Sequence, residues 1–381
     1  MCSFNDHQLQ QLANNIKLWG KDLGFQAIGI SDINLEAHQA HLKNWLDANY
    51  HGSMAWMAQH GDMRTHPEQL LAGTVRVISA RMNYLPLNAS FAKTLASPNH
   101  AYISRYALGR DYHKMLRNRL KKLGERIKQE CESLNFRPFV DSAPILERPL
   151  AQKAGLGWAG KHSLLLNQEA GSWFFIGEIL VNIPLPVDIE SINQCGRCVA
   201  CKTSCPTGAI VADYIVDARR CLSYLTIEFD GVIPIEFRKA MGNRIYGCDD
   251  CQLACPYNKE SELTEEQDFY PRASLWQQPL TALFQWTEAQ FLKNTEGSPI
   301  RRIGFVKWQR NIIIAMGNAP FDQGILALLE NAKGNSALLD EHIAWAITEQ
   351  LARKNQNVID VLPNKTKRLI RSIEKGMPRD A

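Results

Sequence analysis

Eight of the ten cysteines lie between Cys195 and Cys255. The first run is Cys195-Gly-Arg-Cys198-Val-Ala-Cys201-Lys-Thr-Ser-Cys205-Pro206, a C-x2-C-x2-C-x3-C-P spacing. A tight loop with that spacing aims three thiolates at one iron–sulfur cubane, and its fourth cysteine reaches across to a second. The second run is Cys248-Asp-Asp-Cys251-Gln-Leu-Ala-Cys255-Pro256, with Ile245 where its first cysteine would stand. Cys221 is the nearby thiol that completes the set. The expected ligands are Cys195, Cys198, Cys201 and Cys255 for one [4Fe-4S] cluster, and Cys205, Cys221, Cys248 and Cys251 for the other. Zinc sites also use C-x2-C knuckles, but they need neither three knuckle-spaced cysteines before x3-C-P nor ligand exchange between halves. Cys2 and Cys131 stand apart and are read as inert. Two clusters make a one-electron wire, and the chain is far longer than a ferredoxin, so the wire is expected to feed a site elsewhere.

Two weaker signals are set aside. Gly155-Leu-Gly157-Trp-Ala-Gly160 matches G-x-G-x-x-G, but it follows a helix-like stretch and precedes a strand-like one, the reverse of a dinucleotide fingerprint. Asp111-Tyr112-His113 opens D-x-H-x-x-G, a motif that supplies a histidine to cobalamin elsewhere, but the glycine position is Leu116. A corrinoid bound here is expected to lack a protein histidine beneath its cobalt.

Helical spacing of apolar residues predicts helices over 4–23, 35–48 and 111–132, the last a solvated helix with Leu116, Leu120, Leu123 and Ile127 on one face. Strands are expected over 25–30, within 71–84 and over 136–140, and 88–99 reads as a loop. The runs 163–167 and 173–181 flank Gly171 and read as a hairpin. Beyond residue 270, helices are expected over 279–292, 302–316, 324–332, 338–350 and 358–373, resembling a small HEAT-like array. With 381 residues, 45% hydrophobic and 22% charged, the chain has the balance of a folded globular protein of one to three domains. The net charge of +4 permits a nucleic-acid partner without requiring one. Basic residues thicken from Arg353 to Arg379 and at Arg301, Arg302, Lys307 and Arg310 near Trp308; a solvated face and a phosphate contact both fit them. The longest apolar stretch, 173–187, carries Glu178, Asn182 and two prolines, so no membrane span is expected. The polar start predicts no export signal and a cytoplasmic location.

Longer motifs carry a family resemblance. They include Arg64-Thr-His-Pro67, Ser104-Arg-Tyr106-Ala-Leu-Gly109-Arg-Asp111-Tyr112-His113, Asp141-Ser-Ala-Pro-Ile-Leu-Glu147-Arg148 and Gly157-Trp-Ala-Gly160-Lys161-His-Ser163-Leu-Leu165. After the first cysteine run come Arg220-Cys221-Leu-Ser223-Tyr224-Leu-Thr226-Ile-Glu228 and Gly247-Cys248-Asp-Asp250-Cys251-Gln252-Leu-Ala-Cys255-Pro-Tyr-Asn258. Over roughly residues 5 to 310 the chain resembles the epoxyqueuosine reductases. The resemblance implies loss of the epoxide oxygen from epoxyqueuosine at the wobble base of tRNA, giving queuosine. It implies cobalamin, cob(II)alamin at rest and cob(I)alamin when active, reduced through the two clusters from an unidentified electron donor. It places Arg64, Ser104, Tyr106, Lys161, Ser163, Ser223 and Tyr224 around the corrin. Asp141 has two readings from its neighbours, a helix cap before Ser142-Ala-Pro144 or an acid at a strand end, and the resemblance implies the acid. Burial against a corrin would keep that acid protonated. Arg301, Arg302, Lys307, Lys365, Lys367 and Arg368 are candidate tRNA contacts.

The expected fold is α+β in three parts: a mixed α/β corrinoid-binding catalytic domain over 1–185, a two-cluster ferredoxin-like domain over 186–265 and a helical HEAT-like domain over 266–381, in a monomer. Two rival functions fit parts of the pattern. A corrinoid reductive dehalogenase shares the cofactors but usually carries an export signal. A ferredoxin-type electron-transfer or activator protein would bind no cobalamin and need no Asp141.

Overall fold

The computed structural model describes residues 4–356 and 361–376. Helix α1 (Asp6–Asp22) opens on a reciprocal cap, in which Asn5 Oδ1 accepts the Gln8 N–H and Gln8 Oε1 accepts the Asn5 N–H. Strand β1 (Ala27–Ser31), α2 (Glu36–Asp47) and β2 (Arg76–Asn83) follow. The polar stretch expected to be loop contains α3 (Phe91–Leu95), because Phe91, Ala92 and Leu95 are buried and tertiary packing supports a short helix. Next come β3 (Tyr102–Ile103), α4 (Tyr112–Glu130), β4 (Phe136–Phe139), α5 (Glu147–Lys153), β5 (Trp158–Ala159), β6 (Leu165–Leu166) and β7 (Phe174–Val181).

Strands β1, β2, β7 and β4 form an antiparallel sheet in that order. Alternation divides its side chains between two faces. Ile179 and Val181 pack with α1 and α4, whose Leu116, Leu120, Leu123 and Ile127 are fully buried as their spacing requires. Leu180 and Ile176 face the other way, toward the α5 side. The expected hairpin around Gly171 is corrected. Asn167 and Gly171 do exchange backbone hydrogen bonds of 2.7 and 3.0 Å, but β6 then pairs with β5 while β7 joins the large sheet. Different cores claim Leu166 and Phe175, so the strands part after the turn.

The cysteine-rich segment contains α6 (Ala200–Ser204), β8 (Ile210–Ala212), β9 (Ile215–Val216), α7 (Leu222–Ile227), α8 (Ile235–Met241), β10 (Arg244–Tyr246) and α9 (Asp250–Leu253). The remainder is helical: α10 (Leu280–Phe284), α11 (Glu288–Asn294), α12 (Gly304–Asn318), α13 (Gln323–Asn331), α14 (Ala337–Gln356) and α15 (Asn364–Gly376). The single helix expected over 279–292 is two, because Thr287 and Gln290 cap a new start. The expected start at Val358, with Arg379, lies outside the described residues.

Helix α12 joins the helical part to the cysteine segment through polar side chains. Arg310 is fully buried and donates to the carbonyls of Phe229 (2.7 Å), Gly231 (3.0 Å) and Leu225 (2.8 Å). Asn311 donates to Thr226 O and Ile245 O. Arg310 therefore belongs to neither the solvated face nor the phosphate contact its sequence allowed; it satisfies backbone that α7 and its flanks leave open. Helix α15 returns to the sheet half, where Leu369, Ile370 and Ile373 enter the core of α1 and α4. No helix among the described residues is long and apolar enough to cross a membrane.

Candidate active site

Local geometry gathers the thiols in two groups. Buried Cys255 lies within electrostatic range of Cys195, Cys201 and Cys198, and burial pushes its thiol up to about 12. Cys251 is coupled in the same way to Cys221 and Cys205, Cys221 to Cys205, and Cys248 to Cys251. Cys201 also neighbours Cys251, so the two groups adjoin. Cys198 is exposed, whereas Cys205 is buried and its sulfur accepts the Ala209 N–H at 3.2 Å. Among the described residues no three His, Cys, Asp or Glu side chains are grouped tightly enough to grip a single metal ion. Cys131 is buried at the end of α4, and Cys2 lies outside the described residues.

Two backbone turns hold these thiols. Gly171 has φ +59°, and a Cβ there would stand 2.0 Å from the Oδ1 of Asn258, three residues beyond Cys255; that same oxygen accepts the Ser172 N–H. Gly247, at φ +68°, lies against Ser104, whose Cβ would be 2.6 Å from an added Cβ. Ser104 Oγ donates to buried Asp249 at 2.5 Å, and Tyr102 donates to the same carboxyl at 2.8 Å. Ser104 thus fixes the turn that presents Cys248.

Beside this segment opens a cavity of about 800 Å³. Its wall includes five of the expected corrin-site residues, Arg64, Tyr106, Ser163, Ser223 and Tyr224, together with Asp141. Cys221 is in the same wall. Ser104 and Lys161 are not among the lining residues. Lys161 pairs with Asp213 at 3.0 Å, though its neighbour Gly160 faces the cavity. Arg64 donates to the carbonyls of Trp56 (2.8 Å) and Met57 (3.1 Å), so it orders the lip of the cavity. Tyr224 OH meets Ser53 Oγ at 2.6 Å and ties α7 to that lip.

Asp141 stands just after β4 at φ +57°, its side chain about half exposed. Its Oδ2 accepts from Tyr112 OH at 2.7 Å and lies 3.3 Å from His113 Nε2. His113 Nδ1 is 2.6 Å from Asp111 Oδ1. The His113 hydrogen bond outweighs burial and, with Tyr112, holds the Asp141 carboxyl below its usual value. Burial opposes charge on His113, but hydrogen bonds to Asp111 and Asp141 prevail and raise it to about 9. The expected protonated Asp141 rested on burial against a corrin, and protein groups alone leave its side chain about half exposed. These protein groups favour the proton on the imidazole, because an imidazolium between two carboxylates is favoured over a neutral acid beside a neutral ring.

Several wall residues had no role at the sequence level. His38, His41, Leu42 and Trp45 line the cavity from α2, none of whose residues is buried. Their i, i+3, i+4, i+7 spacing was the available signal. Arg302, grouped with tRNA contacts, enters the wall and donates to Glu228 at 2.6 Å. Lys307 pairs with Asp230 at 2.7 Å, Lys365 donates to Cys205 O at 2.6 Å, and Arg368 is exposed.

Residues 64–142 match the family model described as Epoxyqueuosine reductase QueG, DUF1730, and residues 194–258, which contain all eight clustered thiols, match that of a 4Fe-4S double cluster binding domain. The epoxyqueuosine reductase of Escherichia coli (strain K12) is 65% identical over 373 residues, 98% of either chain. The chain belongs to the epoxyqueuosine reductase family. Two solved structures of epoxyqueuosine reductases share its architecture at 26% identity, each covering 97% of this chain and 99% of the other. One, at a TM-score of 0.82, holds an epoxyqueuosine-modified tRNA-Tyr stem loop. The other, from Bacillus subtilis at 0.81, has an aspartate-bearing catalytic loop swung out of its active site.

Proposed function

We propose that this epoxyqueuosine reductase family member reduces epoxyqueuosine to queuosine at the wobble position of tRNA, the last step in forming that base. The observation that carries the reading is a shared wall: Asp141 and Cys221 face one cavity of about 800 Å³. Removing an epoxide oxygen as water takes two electrons and two protons. Cys195, Cys198, Cys201 and Cys255 hold one [4Fe-4S] cluster near the surface, where Cys198 is exposed. Cys205, Cys221, Cys248 and Cys251 hold the second, which Cys221 brings to the cavity. Clusters held by these thiolates would pass electrons singly from a donor protein toward the cavity wall at Cys221.

The cavity wall suits a bulky, largely neutral macrocycle with amide arms. It combines apolar Leu42, Trp45, Met57 and Ile145 with the hydroxyls of Ser163, Ser223 and Tyr106. When bound, cobalamin would supply a cobalt that one electron takes from cob(II)alamin to cob(I)alamin, the form able to give up two electrons. Ser163, Ser223, Tyr106 and Tyr224 hold it, Arg64 shapes the lip over it, and Lys161 and Ser104 act from behind the wall. Asp141 delivers the first proton to the departing oxygen and draws it from His113, so the His113–Asp141 pair is the acid. Arg302 lies in the wall, paired with Glu228, where it meets the anticodon loop, whose target base must be unstacked to enter. Residues 1–185 serve as the corrinoid-binding catalytic domain, 186–265 as the ferredoxin-like domain, and 266–381 as a HEAT-like helical domain that carries tRNA contacts. The chain acts as a cytoplasmic monomer.

The test is direct. The chain is reconstituted with iron, sulfide and hydroxocobalamin, reduced chemically and given epoxyqueuosine tRNA. Mass spectrometry of the released nucleoside is expected to show loss of one oxygen with cobalamin and none without it; loss at the same rate in both arms sinks the reading.

A further inference from the structure

Glu178 lies on β7 in the middle of the sheet and is fully buried. Its register partners are Ser79 on β2 and Phe139 on β4. Among the described residues no N–H or O–H donor reaches either carboxyl oxygen, and the buried Ser79 hydroxyl also has no partner. The side chain that Glu178 does meet is another acceptor, the Glu147 carboxyl at the start of α5. Two carboxyl groups in contact, one of them fully buried, stay together only with a proton between them. Glu147 carries the pair outward: it lines the cavity, and its Oε1 accepts the Asp141 N–H at 2.7 Å. Arg148 on α5 and His113 on α4 act on Glu147, and Asp141 acts on both members. Burial, then the nearby Asp141 charge, raises Glu147 to about 7. Burial and Glu147 together push Glu178 further up.

The proton count gives the pair a use, and this step rests on the function proposed above. The reduction consumes two protons, and the His113–Asp141 pair stores one. We propose that Glu147 and Glu178 share the second proton and pass it to the Asp141 carboxylate once the first has left. An O–H bond on the pair breaks, one on Asp141 forms, and no electrons move in this step. Water at the cavity mouth refills the pair between turnovers. The two glutamates act through Asp141 and do not touch the substrate.

The experiment uses the reconstituted holoenzyme and its Glu178→Gln and Glu147→Gln variants, both close in shape to the original. Infrared spectra without tRNA are expected to show a protonated-carboxyl C=O band that titrates near neutral pH in the wild type and is shifted in frequency and midpoint in both variants. Turnover on epoxyqueuosine tRNA is expected to fall more as pH rises, the alkaline limb moving down by about one unit, or tenfold in rate on that limb. If Glu178→Gln does not fold, Glu147→Gln at the cavity edge gives the same two readouts. A wild type without the band, variants that leave it unshifted, or a loss of equal size at every pH overturns this inference while leaving the reductase reading intact. A wild type inactive on epoxyqueuosine tRNA overturns both.

Discussion

Asp141 is held by two donors of different strength, Tyr112 OH at 2.7 Å and His113 Nε2 at 3.3 Å. Removing the carboxyl with Asp141→Ala is expected to lower single-turnover reduction by about 10²- to 10⁴-fold, the range for a positioned acid, while the corrin absorption is retained. Undiminished turnover would dismiss the acid role. The imidazole gives a second measurement. His113 is expected to titrate near 9 by NMR, and Asp141→Asn should bring it down toward its ordinary value. The sign for stability follows from the direction of each shift. The raised His113 value stabilises the fold fully below about 6.5, and that share fades as pH rises toward 9. The lowered Asp141 value contributes above about 3.9 and is lost in acid. The Tm gap between wild type and His113→Asn should therefore narrow between pH 6.5 and 9; a constant gap would refute the pairing.

Turns and one buried helix set the positions of whole segments. Gly171 takes φ +59°, and a Cβ added there would strike Asn258, three residues beyond Cys255. Gly171→Ala adds a left-handed penalty of about 1–2 kcal/mol before the clash with Asn258 is relieved. It is expected to loosen Cys255, seen as faster loss of iron to a chelator at unchanged helix content. In α12, Arg310 serves three carbonyls at once. Arg310→Met leaves them buried and unpaired and is expected to cost about 3 kcal/mol, read as a lower denaturant midpoint. A shift within error would mean that water replaces the guanidinium.

Across the molecule, the cysteine segment lies between the sheet half and the helical half. Cys221 faces the cavity, so Cys221→Ser should remove the inner cluster alone. About half the iron is expected to remain, with reduction of bound cobalamin by a chemical donor slowed severely. Loss of all iron would show instead that the two clusters assemble as one unit. For tRNA, Arg301→Ala with Arg302→Ala should weaken binding and flatten its salt dependence, by about 0.7 in log–log slope for each single-strand phosphate left without its cation. An unchanged slope would clear both arginines.

Spacing alone singled out the eight thiols and suggested their division, because ligand geometry is local to short loops and the first cysteine missing from the second run had one replacement at hand. Periodicity likewise specified α1, α2 and α4, whose apolar faces repeat every three or four residues. The hairpin expected at Gly171 does not form because a turn is local, whereas strand partners are chosen by cores distant in sequence. The same limit applies to charge. Nothing in the sequence around Asp141 shows that Tyr112 and His113 reach it from α4, or that the acid equilibrium moves to an imidazole. Ser104 and Arg310 look available in sequence, yet packing assigns them to Asp249 and to backbone carbonyls. Sequence names the groups able to do chemistry; distance, burial and neighbouring charge, which only the folded chain supplies, decide which of them hold the protons and which are committed to structure.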